Sequence, residues 1–218
     1  MGELILVRHG QARFQSDDYD RLSPLGAQQA RWLGAYFSAH AIAFEQRLSG
    51  SLRRHRETAQ GIAQGLGGGM TFREDPRFDE FDAEPLVNEY VAATGVDHPT
   101  DRASFLAHFP PLFEGWEEGR YSGSGETYRA FQTRVDAAID TALSHPGRSL
   151  IVTSGGVIAA TIRRVLGLSN AATADILLDI HNASMHRIVN EGGRLRLSLY
   201  NASPHLDPRD RAHARTYV

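Results

Sequence analysis

LIVTSGGVIAA, residues Leu150 to Ala160, reads as two elements joined by a glycine pair. Leu150 to Thr153 form an apolar, β-branched run of the kind that makes a buried strand. Gly155-Gly156 follow, and Val157 to Leu166 continue in a helical pattern. A strand that turns directly into a helix predicts an α/β arrangement. It also leaves the first N–H groups of that helix open, where the macrodipole adds partial positive charge. Such an end is an anion site. The side chain aimed at it belongs to a serine, Ser154.

The same alternation extends in both directions. Leu4 to Val7 are a short apolar run ending in Arg8-His9-Gly10, which predicts a central strand covered on both faces. Ser23 and Pro24 read as N-cap and first residue of a helix running to His40, with Leu25, Ala30, Leu33, Tyr36 and Phe37 at helical spacing. Arg47 to Gly50 predict a strand, Leu52 to Leu66 a helix closed by Gly67-Gly68-Gly69, and Met70 to Arg73 another strand. Glu126 to Leu143 predict a helix, and Met185 to Asn190 and Leu195 to Tyr200 two strands around the turn Glu191-Gly192-Gly193. The expected fold class is α/β, a three-layer α/β/α domain over 1–218 with a mostly parallel central sheet. Phe81 to Gly123 differ, being rich in Asp, Glu, Pro and Gly with scattered aromatics. They predict an irregular, partly helical cap inserted at about 78–124, over one sheet edge.

Ligands of open α/β sheets bind outside the carboxyl ends of the strands. Arg8-His9-Gly10 and Ser154-Gly155-Gly156 follow two strands, and Arg53, Arg54 and Arg56 begin the helix after a third. Together they suit an anion the size of phosphate. The 218 residues carry a formal net charge of −3, which argues against a general nucleic-acid or anionic-membrane binder. There is no cysteine, hence no disulfide and no thiol chemistry, as suits a cytoplasmic protein. No apolar run is long enough for a signal peptide or membrane span. Histidines do not pair at i, i+4 around a carboxylate, so no metal site is expected, and nothing calls for a cofactor.

His9 beside Arg8 suits nucleophilic attack on phosphorus. A neutral imidazole attacks through one nitrogen while the other keeps its proton on a carbonyl, and a guanidinium spans the phosphoryl oxygens. LILVRHGQA, Leu4 to Ala12, resembles the start of the histidine phosphatase superfamily, the phosphoglycerate-mutase-like family. LSPLGAQQA (Leu22 to Ala30) is similar to that family's turn into its first helix. SGSLRRHRETA (Ser49 to Ala59) resembles its Ser-Pro-Leu-x-Arg-Ala-x-x-Thr-Ala segment. Aligned on Thr58-Ala59, the resemblance places a second phosphate-binding arginine at Arg54 and leaves Arg53 and Arg56 on a solvated face. RFDEFDAEP (Arg77 to Pro85) is similar to the family's Leu-x-Glu segment and implies a proton-donating acid at Glu80, with Asp79 or Asp82 as understudies. GET (Gly125 to Thr127), ahead of Arg134, resembles its Gly-Glu-Ser element, and Gln15 stands where a phosphate-contacting asparagine is common. His205-Leu206 resemble its C-terminal segment and are assigned a structural role.

LIVTSGGVIAA departs from the family's Val-Ser-His-Gly-Gly-x-Ile-Arg. Ser154 stands in place of the second active-site histidine and Ala159 in place of an arginine. The missing imidazole would have donated to the phosphoryl oxygens. Losing one such donor typically costs on the order of 10²–10³ in rate. His181, at the entry to a strand, is a possible substitute, ahead of His186, the alternative for both being a core or surface histidine. The resemblance therefore implies a metal-independent phosphatase. Its phosphohistidine forms on His9, Glu80 is the acid, and Arg8, Arg54, Gln15, Ser154 and Gly155 cradle the phosphoryl group. The substrate is a small phosphoester, with a phosphoprotein as the alternative. A phosphomutase is the nearest rival, and a phospho-ligand-binding protein that has lost catalysis is the rival from another class.

Overall fold

The computed structural model describes residues 2–13, 20–123 and 125–217. Its strands are β1 (Gly2–Arg8), β2 (Gln46–Ser49), β3 (Arg73–Glu74), β4 (Gly147–Thr153), β5 (Met185–Glu191) and β6 (Arg194–Ala202). Its α-helices are α1 (Pro24–Ala39), α2 (Arg53–Gly65), α3 (Ala83–Thr94), α4 (Arg102–Glu117), α5 (Tyr128–Ser144), α6 (Gly155–Leu166) and α7 (Asn170–Asp179). The strands form one sheet in the order β3-β2-β4-β1-β5-β6. β1 through β4 are mutually parallel, β5 is antiparallel to β1, and β6 closes a hairpin on β5. The α/β fold is as expected, with a mixed sheet.

Two-residue periodicity sorts the core. Leu4, Leu6, Leu48 and Ile151 face one layer with α5 and α6. Ile5, Val7, Leu150 and Val152 face the other with α1 and α2. Each fully buried leucine contributes about 1.5–3 kcal/mol relative to exposure. Ser23 caps α1 by accepting from the Gly26 N–H at 3.0 Å, with Pro24 at the first helical position. β3 is shorter than expected. Gly67, Gly68 and Gly69 all take positive φ, so the chain regains an extended path only at Arg73.

The middle segment is more regular than its composition suggests. α3 and α4 are full helices, and Asp101 and Ser104 form a capping box at the start of α4. Leu86, Tyr90, Phe109, Phe113 and Trp116 join the α5–α6 core cluster. Trp116 stacks against Phe81 at 4.6 Å and donates its indole N–H to the Glu126 carbonyl at 3.0 Å. The aromatics scattered in sequence are therefore one packed layer, and it anchors Phe81, the neighbour of Glu80.

Candidate active site

The parallel strands β1, β4 and β2 end side by side. Register pairs Arg8 with Thr153, and the His9 N–H continues the ladder by donating to the Thr153 carbonyl at 2.8 Å. Gly50, just past β2, donates to Val152 at 3.0 Å. This brings Arg8, His9, Ser154 and the start of α2 to one end of the sheet.

His9 is 5 % exposed. Its Nδ1 lies 2.8 Å from the Gly10 carbonyl oxygen. A carbonyl only accepts, so Nδ1 carries the proton and the neutral ring keeps its lone pair on Nε2. Burial, then Arg54 and Arg8, hold the His9 pKa well below the usual histidine range, which maintains that neutral form. Arg8 is buried and donates from Nη1 to the Ile180 carbonyl. Thr58 links the loop to α2. It accepts from the Gly10 N–H at 3.0 Å and donates to the Arg54 carbonyl at 2.7 Å.

The three arginines of α2 separate cleanly. Arg54 is 11 % exposed and pairs with Asp20 at 2.7 Å. Asp20 also accepts from the Arg53 N–H at 2.8 Å, and so supplies the charge that the N-cap residue Leu52 cannot. Arg53 turns to Glu57 and Arg56 to Glu74, with about half of each side chain in solvent. Arg54→Ala should therefore remove about 1.5–3 kcal/mol of anion binding, a drop in kcat/KM of about 10- to 150-fold. Arg53→Ala and Arg56→Ala should stay within about threefold, which steady-state kinetics on the three variants will check.

Glu80 faces the start of α6. Its Oε2 accepts from the Gly156 N–H at 2.9 Å and its Oε1 from the Phe81 N–H at 3.3 Å. Desolvation raises its pKa, against the pull of those N–H groups and of Arg54 and Arg8. Arg134 fixes the segment that carries it. One edge of the guanidinium grips Glu126 through two bonds, of 2.6 and 2.9 Å. The other donates to the carbonyls of Arg77 at 3.0 Å and Asp79 at 2.7 Å. Close approach explains the glycine at 156, because a Cβ there would lie 2.2 Å from Glu80 Oε1 and 2.7 Å from the Phe81 ring. Gly156→Ala is expected to push the carboxyl aside and lower kcat at least about tenfold while Glu80 itself is retained; kinetics on this variant test whether the carboxyl position matters.

Asp79 is not turned towards His9. It accepts from the backbone N–H and hydroxyl of Ser51, and its Oδ1 stands 3.5 Å from His55 Nδ1. Gln15 lies outside the described residues. Gly155 opens α6, and the Ser154 hydroxyl makes no capping bond. That hydroxyl instead meets His55 Nε2 at 2.7 Å, and the His55 ring stands 5.8 Å from the His9 ring. His181, the possible substitute for the imidazole absent from position 154, makes other contacts. Its ring packs edge-on against Tyr217 at 4.6 Å while its N–H donates to Asn201 at 2.8 Å. The turn that follows is tied to the end of β1, with Ala183, at positive φ, donating its N–H to the Arg8 and His9 carbonyls. His186 is bound up with Ser184 and Asn201 inside the sheet. Sequence spacing could not reveal His55, which lies 99 residues from Ser154. The one available signal was a histidine at the place of alanine in the quoted Arg-Ala-x-x-Thr-Ala pattern.

The model of the histidine phosphatase superfamily (branch 1) matches residues 4–203. The chain belongs to the histidine phosphatase superfamily. A probable phosphoglycerate mutase GpmB of Salmonella choleraesuis is 30 % identical over 196 residues, 86 % of this chain and 85 % of the relative. Among solved structures, a mycobacterial glucosyl-3-phosphoglycerate phosphatase complexed with VO3 superposes with a TM-score of 0.65 at 25 % identity, covering 92 % of this chain and 99 % of that one. YhfR of Bacillus stearothermophilus gives a TM-score of 0.68 at 20 % identity, with coverage of 94 % and 99 %. Among the described residues there is no cluster of three His, Cys, Asp or Glu able to hold a metal, and no helix long and apolar enough to cross a membrane.

Proposed function

We propose that this histidine phosphatase hydrolyses a phosphomonoester without a metal, through a phosphohistidine on His9. The observation that carries the reading is the His9 ring, neutral, with Nδ1 held 2.8 Å from the Gly10 carbonyl and Nε2 left as nucleophile. Nε2 attacks phosphorus, the P–O ester bond breaks, and Glu80 delivers its proton to the leaving oxygen. The Glu80 carboxylate then takes a proton from water, that water attacks phosphorus, and the N–P bond returns its pair to Nε2. Arg8 and Arg54 offset charge on the transferring oxygens, together with the backbone N–H groups at the start of α6 and the Ser154 hydroxyl. Most of the acceleration is positioning and preorganised electrostatics. A small phosphoester is the substrate class best suited to the site, and α3 and α4, with the aromatic layer beneath Glu80, are the elements placed to select it.

Turnover of para-nitrophenyl phosphate with and without EDTA tests the reading, followed by a screen of phosphorylated metabolites and phosphopeptides. Chelator-insensitive release of phosphate is expected. A mutase is the second reading, favoured by the relative named as a probable phosphoglycerate mutase. It would show transfer between hydroxyls of phosphoglycerate faster than release of inorganic phosphate. Tight phosphate binding with no turnover would instead support a binding protein.

A further inference from the structure

His55 is fully buried, yet it is a histidine in the first turn of a helix whose other buried residues are small or apolar. Space has been cleared for its ring. A Cβ on Gly50 would come within 2.2 Å of His55 Nδ1 and 2.5 Å of Asp79 Oδ1. Each ring edge has a polar neighbour, Asp79 Oδ1 at 3.5 Å from Nδ1 and Ser154 Oγ at 2.7 Å from Nε2. Ser154, at the N-cap of α6, would ordinarily spend its oxygen on the helix N–H groups. It does not, and its hydroxyl is committed to His55. The ring, the hydroxyl and His9 therefore form one contiguous group, contributed by α2, β4–α6 and β1.

We infer that His55 takes over the task of the imidazole absent from position 154: oriented by Asp79, it donates from Nε2 to Ser154 Oγ, and so turns the Ser154 hydroxyl towards the phosphoryl group bound beside His9. The inference rests on the phosphohistidine reading above. Hydroxyl bookkeeping supports the direction. A serine has one proton to give and two lone pairs. If Nε2–H fills one lone pair, the hydroxyl proton is released for a phosphoryl oxygen. The doubly protonated ring satisfies Asp79 and Ser154 at once and makes the chain of donors charge-assisted, roughly doubling its strength. The charged and titratable groups around the ring are Arg54 on its own helix, Asp79 after β3, Asp20 ahead of α1, and His9 at the end of β1. Burial, with Arg54, holds the His55 pKa below the usual histidine range against the pull of Asp79 and Asp20, which favours the neutral ring in the free protein. An incoming phosphoryl dianion acts in the same direction as the two aspartates, and in this scheme the ring takes up its second proton together with the substrate. In this scheme Ser154 is the catalytic residue and His55 the positioning residue.

Exchange of the two side chains tests this. Variants His55→Ala, His55→Leu, Ser154→His and the double variant Ser154→His/His55→Ala are compared with the parent on an aryl phosphate. Steady-state kinetics, single-turnover labelling of His9 and thermal melting are followed for each. The parent should label His9. His55→Ala should lower kcat and the labelling rate by about 10²-fold, with KM within about threefold. His55→Leu, which fills the volume, should recover the melting temperature but not the rate, because the lost group is a donor and not a packing element. Ser154→His alone should lose activity, since two rings then compete for one space. The double variant should regain at least about tenfold over His55→Ala. A parent that labels His9, with His55→Ala or His55→Leu within about twofold of its rate, overturns the relay and leaves the phosphatase reading standing. So does a double variant no better than His55→Ala. A parent that turns over substrate without labelling His9 overturns the phosphohistidine reading and the relay with it.

Discussion

His9→Ala is expected to lower turnover of a phosphomonoester by about 10⁴-fold or more, the scale on which removing a nucleophile acts. On the phosphohistidine reading, the intermediate trapped from the parent should be acid-labile and base-stable, as a phosphoramidate is, and the variant should not form it. The side chain is replaceable without collapse of the site, because the backbone there is fixed independently. The His9 N–H is held by Thr153, and the following loop by Thr58. A melting curve separates loss of chemistry from loss of fold. The pH dependence follows from the same environment. His9 must be neutral to attack. Burial, then Arg54 and Arg8, place its pKa well below the ordinary histidine range. The acid limb of kcat/KM, which reports the free enzyme, therefore falls below that range, and activity is lost only as the pH drops through the depressed value. Retention of a tenth of the parent rate in His9→Ala would eliminate the mechanism.

Glu80→Gln has the second largest expected effect, about 10²–10⁴-fold in kcat, the range for a positioned general acid. Its pKa is raised, chiefly by desolvation. The acid acts only while protonated, so kcat/KM falls as pH rises through that elevated pKa, and the variant lacks this alkaline limb. Leaving groups separate the two steps. An alkyl phosphate needs the proton and shows the full loss. An aryl phosphate with an acidic leaving phenol departs without it, so phosphorylation of His9 stays fast. The second step still lacks its base, and phosphohistidine accumulates in a burst. A uniform loss on both substrates, without a burst, would assign Glu80 to structure alone.

The boundaries most open to error in the sequence were those set by long-range packing. Phe105, Phe109, Phe113 and Trp116 lie in a segment whose Pro and Gly content reads as irregular, yet they line a helix because Phe81, Tyr128 and Phe131 complete the layer beneath them. Met70 to Arg73 read as strand, but after three glycines at positive φ the chain joins the ladder only at Arg73 and Glu74. Arg134 was noted only as an accompaniment of GET. Its two-sided grip on Glu126 and on the carbonyls before Glu80 emerges only when α5 is laid beside that turn.

Much of the fold was legible because its causes are local. Four apolar residues before Arg8, and three with Thr153 before Ser154, specify buried strands, Ser23-Pro24 starts a helix, and Glu191-Gly192-Gly193 turns a hairpin. These signals act over a few residues and survive in any context that buries the apolar face. Which imidazole meets Ser154 is not such a property. His181 is near the end of β1 in register and His55 is 99 residues from Ser154 in sequence, yet it is His55 that reaches the hydroxyl. That outcome depends on the rotational phase of α2 above the sheet, on the absence of a Cβ at Gly50, and on the packing of the His181 ring against Tyr217. Helix phase and strand register are set by the packing of whole faces, so the partners of single side chains were decided only by the tertiary structure.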